Sequence, residues 1–245
     1  MGREMAKFAT KTAFTVGLLI VLMSVPAFGA SINKSVKIAD GEERGGASSV
    51  NGSISVGQDA IVTGGLRTVN GKIRIEEGAS VENASTVNGG LYIADGVKAR
   101  DLSTVNGPVK VGEGAAVDGD IGAVNGDIHL ATGSSVTRSI GNVNGRIELK
   151  NAEVGGNLKT VNGDVMLADA SVLKGDLVVE KPSGWGWGKD KSRKPRIVIG
   201  PGSRVEGVID LEREVELFIS DSASVGGVTG VMSSDDATMF SGKRP

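Results

Sequence analysis

The chain has 245 residues, of which 39% are apolar, 3% aromatic and 23% charged, with 38 glycines and no cysteine. A net charge of −2 with scattered Lys and Arg leaves no electrostatic footprint for nucleic acid. The absent cysteines exclude a disulfide framework, a lipid-modified cysteine anchor and thiol chemistry. Few aromatics, many glycines and abundant Val, Ile and Leu suit a β-rich fold with tight turns.

The N-terminal stretch, residues 1–29, reads as a signal peptide. Arg3, Lys7 and Lys11 make a positive start, Ala13 to Met23 is an apolar run, and "SVPAFGA" supplies Pro26 and small residues for cleavage after Gly29 or Ala30. An uncleaved anchor is the alternative, although about 20 apolar residues are needed to span a bilayer. After cleavage no transmembrane domain is expected, and the chain would be exported to the periplasm or surface of a bacterium.

A repeat governs the rest. "TVNG" or "VNG" places Asn51, Asn70, Asn88, Asn106, Asn125, Asn144 and Asn162 at spacings of 18 or 19. A motif recurring at even intervals marks a structural period rather than a catalytic site. Inside each period runs a finer beat of six, as in Val69, Ile75, Val81 and Val87. Apolar residues at i and i+2, such as Ile73 and Ile75, indicate short strands and not helices. Three short strands per period describe one turn of a single-domain, all-β parallel β-solenoid with three sides and about ten coils. Coils of this kind bury their apolar face only by stacking.

On this reading the valine of each "VNG" points into the core and Asn-Gly forms the corner that follows, because both residues tolerate left-handed backbone. Stacked coils would bring the seven asparagines about 4.8 Å apart, close enough for an amide ladder.

In chain order, residues 30–49 are a degenerate capping coil, with Arg44 where an anchor valine should sit. Residues 50–180 are regular coils. Residues 181–195 are a Trp/basic loop insertion carrying Trp185, Trp187, Lys189, Lys191, Arg193 and Lys194. Residues 196–231 resume the beat through Ile199, Val205 and Leu211, and residues 232–245 are expected as a flexible tail.

The loop is the expected contact surface, since paired aromatics and cations engage glycan, envelope or protein partners; the alternative is a tolerated insertion whose tryptophans fold back on the wall. Acidic turn residues Asp40, Glu77, Asp95 and Glu113 lack the ligand-dense spacing of calcium repeats, so no metal or cofactor is expected. His129, the single histidine, sits outward between Ile128 and Leu130 with no nucleophile tied to it by motif. The outward first-side column reads Ser55, Arg74, Tyr92, Lys110, His129, Glu148 and Met166, a mixed wall and not a catalytic cluster.

The phrases "GAAVDGDI" (114–121), "AEVGGNL" (152–158), "ASVLKGDL" (170–177) and "GSRVEGVI" (202–209) resemble the repeats of the bactofilins, a polymer-forming cytoskeletal family. The "TVNGDV" copy at 160–165 is also similar to exported, adhesin-like β-solenoid proteins. The resemblance implies a right-handed three-sided β-helix that self-associates end to end without nucleotide. The export signal, the polar first coil and the Trp loop depart from that family and weigh against polymerisation. The expected function is therefore a non-enzymatic envelope scaffold or adhesin. The alternatives are a bactofilin-type filament protein and a carbohydrate-active β-helix enzyme or lyase.

Overall fold

The computed structural model describes residues 33–182 and 193–245. The N-terminal segment read as a signal peptide, and Trp185, Trp187, Lys189 and Lys191, lie outside the described residues.

The chain winds into a parallel β-solenoid of about ten coils. Its first side is an 11-stranded sheet running from Val36–Ile38 through Ile54–Val56, Ile73–Ile75 and their successors to Thr238–Phe240. Every pairing is parallel and in register, so Ile54 meets Ile73 and Ile73 meets Leu91. The second side consists of strands as short as Ile61–Val62 and Ala116–Val117; the third holds strands such as Leu66–Thr68 and Ile121–Asn125. In two coils the second and third sides merge into the single strands Ser80–Asn88 and Lys98–Asn106.

The merging explains part of the irregular period. Where the strand runs through, the inward residues flanking the corner are Val81 and Ala84, three apart; where it breaks, they are Val117 and Ile121, four apart. The extra residue is absorbed at the corner and the strands keep their register.

The core is a narrow prism of aliphatic side chains. Ile54, Ile73, Leu91, Val109, Ile128 and Ile147 stack down one wall with no exposure. A prism this narrow is filled by branched aliphatics at the coil spacing, which accounts for the scarcity of aromatics.

The valine of the repeat does not belong to that core. Val50 and Val69 are 37% and 41% exposed, and Val87 and Val105 are half-buried. The threonine before it points inward instead: Thr86 and Thr104 have no exposure. The cause is strand parity. Leu66 faces the core, so a period of two sends Arg67 out, Thr68 in and Val69 out. These three threonine hydroxyls are satisfied, since Thr68, Thr86 and Thr104 donate to the carbonyls of Gly52, Gly71 and Gly89 at 2.7–2.9 Å.

The polar first coil holds all three sides, and Arg44 pairs in register with Val62 at the anchor position, half-buried. At the other end the expected flexible tail is partly structured. Ser233 and Asp236 form a reciprocal cap around a short 3-10 turn, and Thr238–Phe240 then pairs with the strand Glu216–Ser220. The first side thereby gains one strand beyond the end of the other two. Among the described residues no helix is long and apolar enough to cross a membrane.

Candidate functional site

The most developed side-chain array is the corner between the third and first sides. Asn51 donates through Nδ2 to Asn33 Oδ1 at 2.6 Å, and Asn70, Asn88, Asn106, Asn125, Asn144 and Asn162 each donate to the asparagine one coil below at 2.8–2.9 Å. Eight amides therefore form one continuous ladder along the rod.

The glycine after each asparagine is required by closeness rather than by handedness. Asn33 is the sole ladder asparagine with positive φ, so left-handed backbone is not what selects Asn-Gly at these corners. A Cβ on Gly71, Gly89 or Gly126 would land on the carbonyl oxygen of Gly52, Gly71 or Gly107 in the coil below. Only a residue without a side chain lets the corners stack this tightly.

A second array runs along the corner between the second and third sides. Asp101 Oδ1 accepts the Asp120 backbone N–H at 3.0 Å, and Asp120 Oδ1 accepts that of Ser139 at 2.9 Å. Ser139 Oγ accepts from Asn157, Asn157 Oδ1 from Asp176, and Asp176 Oδ1 from Val208. The "DGDI" phrase is thus a device by which one corner caps the next, with Gly119 and Gly207 leaving room for the carboxylates of Asp101 and Asp176.

The Trp/basic insertion falls in the sequence between Leu177–Val179 and Arg196–Ile199, where the asparagine corner of one coil would be. Asn162 is the last ladder asparagine, and in place of a further asparagine Arg213 Nη1 donates to its Oδ1 at 2.8 Å. Arg213 lies in the second corner above, two coil steps or about 9.6 Å along the rod, a separation its side chain and the hydrogen bond span together. It is 6% exposed. Nothing in the local phrase "LEREVEL" announces this role; it follows only from counting corners across the insertion.

Of the six loop residues singled out in the sequence, the structure describes Arg193 and Lys194. Arg193 Nη2 lies 2.7 and 2.5 Å from the two Asp164 carboxylate oxygens, and Asp164 also accepts the Arg196 N–H. Lys194 pairs with Glu214 at 2.7 Å, which raises its pKa above 10.5. Both side chains fasten the end of the loop to the wall.

The outward first-side column occurs in the expected register from Ser55 to Met166. Arg74 lies 5.6 Å from the Tyr92 ring centroid, and His129 Nδ1 approaches Glu148 Oε2 at 3.6 Å. His129 thus meets the glutamate of the next coil. Past Met166 the column turns apolar with Val198 and Phe218, and Arg196 lies over the Phe218 ring at 4.6 Å. The acidic turn residues serve neighbouring coils: Asp40 and Asp95 accept the backbone N–H groups of Gln58 and Glu113. Among the described residues no three His, Cys, Asp or Glu side chains are grouped to hold a metal ion.

These features define a parallel β-solenoid whose polar side chains are concentrated in inter-coil ladders. No protein-family model matches the chain, and no curated protein or solved structure matches it either.

Proposed function

We propose that this chain is a non-enzymatic protein of the bacterial cell envelope, exported through residues 1–29, that works as a structural scaffold or adhesin-like rod. The observation that carries the reading is the unbroken amide ladder from Asn33 to Asn162, closed by Arg213. Such a ladder adds bonds between coils in proportion to length and stiffens the rod without forming a cleft. The mixed outer column on the first side supports a solvated wall in preference to the clustered acids of a β-helix lyase. Arg44 at a core position of the first coil disfavours the end-to-end stacking of a filament protein, because a second copy would bury its charge. With Arg193 and Lys194 engaged at the base, Trp185, Trp187, Lys189 and Lys191 remain as the contact residues of the loop for glycan, envelope or protein partners.

The test is fractionation of cells producing the tagged full chain, with N-terminal sequencing of the product. The reading expects an envelope or secreted fraction beginning at Ala30 or Ser31. A cytosolic chain retaining residues 1–29 overturns it, and polysaccharide turnover abolished by one acidic substitution would make it an enzyme.

A further inference from the structure

Asn-Gly is the dipeptide in which an asparagine side chain most readily closes on its own backbone. The glycine nitrogen, after losing its proton, attacks Cγ of the preceding asparagine, and the Cγ–Nδ2 bond breaks as ammonia leaves. Water then opens the resulting five-membered imide to aspartate or isoaspartate. Seven such dipeptides stand in the corner of this rod, and all seven asparagines are exposed to the water the second step consumes.

We propose that the corner restrains this chemistry unevenly and that Asn51, Asn70 and Asn144 are the chain's sites of spontaneous modification. The ladder holds every Nδ2 alike, so the difference lies in the attacking nitrogen. The N–H groups of Gly89, Gly107 and Gly126 donate to the carbonyls of Asn106, Asn125 and Asn144 at 2.9, 3.0 and 3.0 Å. Gly163 N–H donates to Thr160 Oγ1 at 2.9 Å. Each of these bonds must break before the nitrogen can deprotonate and turn towards its own asparagine. Gly52, Gly71 and Gly145 make no such bond among the described residues.

Conversion at Asn70 deletes the donor to Asn51 Oδ1, and isoaspartate inserts an extra backbone carbon into a corner that has no room for one. Modification therefore loosens the rod at fixed coils.

The experiment is peptide mapping by mass spectrometry of the purified full chain held folded in mildly alkaline buffer, beside a sample in denaturant. In the folded chain Asn51, Asn70 and Asn144 should convert roughly five-fold faster than Asn88, Asn106, Asn125 and Asn162, the factor that one net hydrogen bond supplies. In denaturant all seven should convert alike. Equal rates across the folded chain, including none at all, or faster conversion at Asn88, Asn106 or Asn125, overturn the proposal. A second arm uses Thr160→Val, a side chain the site accepts because Val179 occupies the same position one coil on. Asn162 should then join the fast group; an unchanged Asn162 rate contradicts the part assigned to the held N–H.

Discussion

Arg213 and Asn162 are 51 residues apart in sequence and 2.8 Å apart at their hydrogen bond. Between them lie the strands from Val165 to Val179, the Trp/basic insertion, and the strands from Arg196 to Leu211. The guanidinium makes to Asn162 Oδ1 the bond that the next asparagine makes elsewhere in the ladder, and so gives the ladder an end. Replacing the buried Arg213 with Ala should cost about 1.5–3 kcal/mol, the range for a hydrogen bond to a charged group. The loss should appear in hydrogen exchange as faster opening of the coils after Asn162, with the coils before Asn125 unchanged. A uniform loss along the rod would contradict a local role.

The strand register around one coil gives a second expectation. Val111 and Val117 are 1% exposed, so Asp at either buries an unpaired charge and should abolish cooperative folding. Val105→Asp should stay within about 0.5 kcal/mol of the parent, as for other surface changes, and so should Lys110→Asp. Thr104→Val should cost about 1 kcal/mol through its lost bond to Gly89. Thermal melts of the five variants would check this ordering, and a severe effect at Val105 would reverse the assignment.

Glycines that look alike in the repeat should differ in their tolerance. Gly89→Ala sets a methyl against the Gly71 carbonyl and should cost more than about 2 kcal/mol, because two coils must move apart. At Gly96, φ is +65° with open space around the missing Cβ. Alanine there should cost only about 1–2 kcal/mol for the left-handed conformation. Urea unfolding of the two variants compares them, and equal costs would mean that handedness rather than stacking fixes the Asn-Gly corner.

How much of this was legible beforehand follows from what each residue type records. The asparagine spacing preserves the circumference of the coil, so the period, the three-sided solenoid and the stacking of corners could be read directly. The direction of the repeat valine could not be read from its recurrence. It was available from parity, because Ala84 and Val87 stand three residues apart on one strand. Arg213 left no sequence signal, since a long side chain can serve a corner two coils away. The strand Thr238–Phe240 lies in a polar stretch whose pairing depends on the backbone edge offered by Glu216–Ser220.

The C-terminal turn should resist acid down to an unusually low pH. The Ser233 N–H and hydroxyl, at 2.8 and 3.0 Å, hold the Asp236 carboxyl below its ordinary 3.8. A depressed folded-state value stabilises above the unfolded pKa, and that contribution is lost as pH falls through the folded one. Protection of the Ser233 amide should therefore decline only below pH 3.8. Base should act on the opposite side: the Glu153 bond raises Lys174 above 10.5, so its ion pair is lost only as pH rises beyond that value. Amide exchange read across both ranges checks the two signs.

The most direct test of the account is thiol accessibility, which suits a chain with no cysteine of its own. Single variants Val87→Cys, Val105→Cys, Thr86→Cys and Thr104→Cys sample adjacent positions on two stacked corners. The account predicts rapid labelling of the folded protein at 87 and 105 and protection at 86 and 104 until the coils open. Protected valine positions with reactive threonine positions would contradict it.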